Sequence, residues 1–174
     1  MIFNTHYWKR ELERLALILR GHLAQRRWVA ASEASVEKSV MLGFYAIRKM
    51  LESFDRALKA PGHLRVTTFP RRKVKLSPIV FPDVAEAFDL MRPTSVSLPT
   101  REVCHEIIHS HFFSIWVDPH RSLRGVFFAS DRHRNERVCR LEMEGIVSLF
   151  ESIARTRTPV RLDRFVPDNN RVIM

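Results

Sequence analysis

The apolar positions of the first sixty residues repeat at the helical period. Trp8, Leu12, Leu15, Leu19 and Leu23 step by three or four residues, with Arg10, Glu13 and Arg14 on the other face. This predicts an amphipathic helix from about His6 to Gln25, capped by Asn4 or Thr5. A second stripe runs through Val36, Val40, Phe44, Ile47, Leu51, Phe54 and Leu58. It predicts a helix capped by Ser32, with Glu33 in the first turn where the dipole favours an acid. The helix should reach about Lys59 and stop at Pro61-Gly62. Gly43 inside it costs about 1 kcal/mol relative to alanine, which points to a close helix–helix approach. The short connection folds the pair into an antiparallel hairpin over residues 1–60.

Beyond Pro61 the period drops to two. Leu64–Phe69 alternates and is β-branched, Val74-Lys75-Leu76 alternates again, and Pro70-Arg71-Arg72 between them reads as a hairpin turn. The proline-rich stretch 77–100 has no long periodicity; it is read as a connection with one helical turn at Asp83–Phe88 and a short strand at Ser95–Leu98. Thr100 then caps a helix from Arg101 to about Ser110. Three strands follow, Phe112–Val117, Gly125–Ser130 and Arg137–Leu141, joined by connections too short for crossover helices. A last helix, Glu144 to about Ala154, carries Ile146, Phe150 and Ile153 on one face. The prediction is an α+β fold: an N-terminal antiparallel helical hairpin, then a small antiparallel sheet made of a hairpin and a three-strand meander, with two shorter helices. The chain is expected to be one domain, with 1–60 the helical hairpin, 61–154 the α+β part and 155–174 a basic, partly disordered tail.

Charge adds a partner class. The formal charge is +10, and 23 of the 29 basic residues are arginine, the forked donor suited to phosphate and carboxylate. The surplus lies at the two ends of the sequence, since residues 61–120 carry seven bases against six acids. The densest run is 121–140, where six arginines stand against Asp131 and Glu136. The predicted loops place Arg71, Arg72, Arg121, Arg124, Arg132, Arg134 and Arg137 as candidates for binding a polyanion. Loops at alternate ends of a meander point opposite ways, so these arginines are expected to split into two patches.

Two cysteines, no apolar stretch near 18 residues and no signal-peptide pattern give the expectation of a reduced, cytoplasmic protein without a membrane span. Scarce glycine removes phosphate-cradling loops: neither a Walker loop nor G-x-G-x-x-G occurs. His105-Glu106-Ile107-Ile108-His109 spells H-E-x-x-H, in which two imidazoles one helical turn apart bind zinc and the glutamate takes a proton from zinc-bound water. The third ligand is unassigned. On a helical projection Val103, Ile107, Cys104 and Ile108 share one arc and the two histidines lie opposite, as on any small amphipathic helix. Cys104 and Cys139 read as buried packing residues. Arg124-Gly125-Val126-Phe127-Phe128 resembles the opening of the aromatic strand of RNA-recognition sheets, but Ala129-Ser130-Asp131 departs from that pattern.

The functional expectation is a noncatalytic binding or adaptor module, without a cofactor, that contacts nucleic acid or an acidic protein surface through arginine-rich loops. The alternative is a zinc-dependent hydrolase with His105 and His109 as ligands and Glu106 as the catalytic base. Self-association through the Val36–Leu58 helix is the further option.

Overall fold

Both apolar stripes become helices packed on one face of a sheet. The computed structural model describes residues 5–54, 60–73 and 83–156. Helix α1 spans Thr5–Leu23 and α2 spans Ala30–Phe54. Leu12, Leu15, Leu19, Val36, Val40, Phe44 and Ile47 are buried, and each such side chain stabilises the fold by roughly 1.5–3 kcal/mol. Val36, Val40, Phe44, Ile47 and Leu51 of the α2 stripe are core of this chain, and Leu42 and Tyr45 of the same helix remain exposed. Ser32 is not the cap: α2 begins two residues earlier, and the Ser32 hydroxyl bonds back to the Val29 carbonyl at 2.9 Å. The predicted helix end near Lys59 lies outside the described residues. No helix among the described residues is long and apolar enough to cross a membrane.

The rest of the chain supplies β1 His63–Pro70, α3 Val84–Ala87, β2 Thr94–Pro99, α4 Thr100–Ile108, β3 Ser110–Val117, β4 Leu123–Ser130, β5 Arg137–Glu142 and α5 Met143–Arg155. The five strands form one antiparallel sheet in the order β2-β1-β5-β4-β3. The fold is α+β, and β3, β4 and β5 form the predicted meander. β1 pairs with β2 on one side and β5 on the other, while Val74–Leu76, its predicted hairpin partner, lies outside the described residues. Thr100 is not a cap either. Pro99 holds that position, and the Thr100 hydroxyl donates to the Pro61 carbonyl.

Strand alternation sorts the core into two layers. Val126, Phe128, Cys139 and Leu141 face the helices, and Phe69, Phe127, Ala129 and Val138 face the other side, where Ala87 and Phe88 cover them. Two glycines mark close approaches. A Cβ on Gly125 would lie 2.1 Å from the Leu141 carbonyl oxygen, and one on Gly43 would lie 2.0 Å from the Phe150 ring of α5.

The two thiols face the helical layer. Burial pushes both up to about 12, so they stay protonated and unreactive in the folded chain. Neither should react with a thiol reagent at pH 8 until denaturant is added. Their folded pKa values lie above the unfolded ones, so their stabilisation is complete below pH about 8.5 and fades as pH rises toward 12. A Cys104→Ala/Cys139→Ala variant should lose less stability between pH 8 and pH 11 than the parent in urea titrations. An equal loss in both would refute this.

Candidate functional site

Helix α4 separates the H-E-x-x-H residues onto different faces. His105 and His109 lie on its exposed face with ring centroids 4.6 Å apart. Arg48 of α2 reaches the same place, its Nη1 donating to His105 Nδ1 at 2.9 Å. Glu106 does not join them. It is 1 % exposed, its Oε2 accepts the Ser130 N–H at 3.3 Å, and its Oε1 pairs with His133 Nδ1 at 2.5 Å. The carboxylate that the zinc reading needs as a base thus ties α4 to the β4–β5 turn. Among the described residues, no three His, Cys, Asp or Glu side chains converge to hold a metal ion.

The sheet register gathers most of the candidate arginines. Because β1 and β5 are antiparallel, the exit of β1 lies beside the start of β5, with Pro70 opposite Arg137. The Arg71 N–H donates to the Glu136 carbonyl at 2.8 Å, and Arg71 Nη1 to the Arg134 carbonyl at 3.3 Å. Arg71, Arg72, Arg132, Arg134 and Arg137 therefore share one end of the sheet with the last turn of α4 and the first residues of β3. Arg121, in the β3–β4 turn, and Arg124, at the start of β4, lie at the other end.

Pairing with acids grades these cations. Arg72 meets Asp89 at 3.7 Å, Arg124 meets Asp118 at 2.8 Å, Arg134 meets Asp131 at 3.0 Å and Arg137 meets Glu102 at 3.7 Å. Backbone donation from Ser122, then the Arg124 side chain, holds the Asp118 carboxyl below the usual range. Arg121 adopts φ 62° in that turn, and its carbonyl accepts the Trp28 indole N–H at 2.8 Å. Arg132 is exposed and makes no ion pair among the described residues. Arg134 also donates to the His111 ring at 3.2 Å.

The potential at this end is registered by His105. Desolvation comes first, followed by repulsion from His109, Arg48 and Arg132, and together they hold its imidazole below the ordinary range despite the opposing Glu106 charge. Four residues from three elements therefore act on one another electrostatically. The arginine run in the sequence pointed to Arg132 and Arg134. Arg48 was missed, because its place beside α4 depends on how α2 packs.

The opposite sheet face is aromatic. Arg140 lies with its guanidinium 4.2 Å from the Trp116 ring centroid and 5.2 Å from that of Phe69. Phe127, one of two phenylalanines in the Arg124–Phe128 motif, is buried beside those two rings, at 5.8 Å from Phe69 and 6.3 Å from Trp116, and Phe128 is buried on the helical side. Neither offers a free stacking surface of the kind an RNA-recognition sheet presents. No protein-family model, curated protein or solved structure matches this chain.

Proposed function

We propose that the protein is a noncatalytic binding module that contacts nucleic acid through its phosphates. The contact surface is the end of the sheet formed by the last turn of α4 and the β4–β5 turn. The observation that supports this most is the convergence there of Arg48, His105, His109, Arg132 and Arg134, with no acid paired to Arg132 among the described residues. Arg48 is paired with Glu52 and Arg134 with Asp131, but ion pairs at the surface contribute at most about 1 kcal/mol each and exchange readily for a phosphate. Guanidinium forks and imidazoles recognise phosphate without reading a base edge, so the binding is independent of sequence.

The test is anisotropy of a fluorescent single-stranded oligonucleotide across a salt series. Substituting Arg132→Ala and Arg134→Ala together should weaken binding about tenfold or more at low salt. It should also reduce the slope of log K against log salt by about 2, one contact for each arginine. The urea midpoint should hardly change, because both side chains lie on the surface. His105 gains its proton only below the ordinary imidazole range, so binding should strengthen as pH falls below about 6.5. Polyglutamate binding as tightly as the oligonucleotide, or a double variant that binds like the parent, would refute the proposal.

A further inference from the structure

Strand β3 closes the sheet, and among the described residues it pairs only with β4. Among the described residues nothing pairs with its other side, a row of backbone N–H and C=O groups. Natural edge strands are usually blunted by charges or proline, because a bare edge pairs readily with another chain. Ser110–Val117 contains no Lys, Arg, Asp, Glu or Pro, its register shifts are confined to its two ends at Ser110/Phe112 and Trp116/Val117, and most of it is half-buried. Grooves of about 980 Å³ and about 340 Å³ run along the strand, and both reach Glu37 of α2.

The groove walls select the occupant. Phe113 and Ile115 face α2, and the groove beside them is lined by Glu33 and Glu37 and, at the turn that follows Val117, by Arg121, so acids outnumber bases there two to one. Neither acid makes an ion pair among the described residues, whereas Glu11, Glu52 and Glu151 on the helices all do. Residues one helical turn apart present their Cβ atoms about 5–6 Å apart. Same-face residues of a strand repeat at about 6.8 Å, so an added strand can match both carboxylates with alternate side chains. A second copy of the chain fits less well. A two-fold β3–β3 pairing would bring both copies of Glu37 toward the axis, and each copy carries a formal +10.

We propose that the outer edge of β3 takes up an extended basic segment of another protein as a sixth strand. Lysines or arginines at alternate positions face Glu33 and Glu37, and the intervening apolar side chains lie over Phe112 and Trp116 on the other face. Main-chain hydrogen bonds supply affinity and the two carboxylates supply selection, which is the strand-addition mode of peptide recognition.

The probe is a blocked nine-residue peptide of alternating lysine and valine, titrated calorimetrically into the full chain. It should bind, and amide exchange should slow over Phe112–Val117. Glu33→Gln with Glu37→Gln, two exposed positions, should weaken it about tenfold or more. A glutamate–valine peptide of the same length should not bind. Methylating alternate backbone nitrogens of the lysine peptide should abolish binding, which tests strand pairing without altering the protein. Absent binding, equal binding of the methylated or glutamate peptide, or indifference to the two glutamine substitutions would overturn the proposal. A sedimentation dimer that the peptide does not dissociate would overturn it in favour of a second copy.

Discussion

Replacing His133 by alanine should lower the unfolding free energy by about 3 kcal/mol, a large fraction of the stability of an ordinary domain. The cause is the carboxylate it leaves behind. Glu106 is 1 % exposed on a helix whose Val103 and Ile107 are buried too, so its carboxylate lies out of bulk water and depends on protein donors. Only the Ser130 N–H at 3.3 Å would remain, a long contact for a charged acceptor. The His133 side chain is only 15 % exposed, so its truncation also opens a space beside Glu106, and a second substitution separates that cost from the lost pairing. Adding Glu106→Met to the His133→Ala variant should restore much of the stability, because an apolar side chain of similar volume needs no partner. Urea titrations of the two single variants and the double variant read this directly. If the double variant were as unstable as the sum of the singles, the pair would not be coupled.

That buried pair also shows where reading the sequence reaches its limit. Helical and strand periods are local, so α1, α2, α5 and the meander follow from spacings within a few residues. The amphipathic arc of α4 was likewise legible, including the outward placement of His105 and His109. On that same projection Glu106 lies about 60° from Val103, on the margin of the apolar arc. Its burial depends on His133, 27 positions away, and no local period reports such a contact. The H-E-x-x-H spacing is legible because its chemistry is local, while the partner that occupies the glutamate comes from a distant turn. β1 is a similar case. Its alternating pattern marked a strand, but its neighbours β2 and β5 are set by sheet order, which the alternation does not encode. The two cap residues failed for a smaller reason. Ser32 and Thr100 are good capping types, yet each helix starts earlier and turns the hydroxyl to a backbone carbonyl instead. The arginine cluster was half legible: the turns were placed correctly, and the antiparallel register then brought Arg71 and Arg72 to the same end as Arg132 and Arg134.

Substituting Gly43→Ala should destabilise the fold by about 2 kcal/mol net, although alanine is the better helix former. The helix propensity gain is about 1 kcal/mol, so packing must cost roughly 3 kcal/mol for the net to hold. The geometry supports a cost of that order. The new Cβ would fall 2.0 Å from Cζ and 2.2 Å from Cε2 of Phe150, where contact between carbon atoms needs about 3.5 Å or more. The ring has nowhere to retreat: Phe150 is fully buried and sits edge-on to Phe44 at 5.6 Å, with α1 packed against the same helix. Either the ring leaves its rotamer or α2 and α5 separate, and separation would loosen the helical layer that supports the sheet. Phe150→Leu removes the atoms that clash, so it should cost less in the Gly43→Ala background than in the parent. Thermal unfolding of the parent, both single variants and the double variant gives that coupling as a positive rescue. A Gly43→Ala protein as stable as the parent would mean that α2 and α5 do not meet at this glycine.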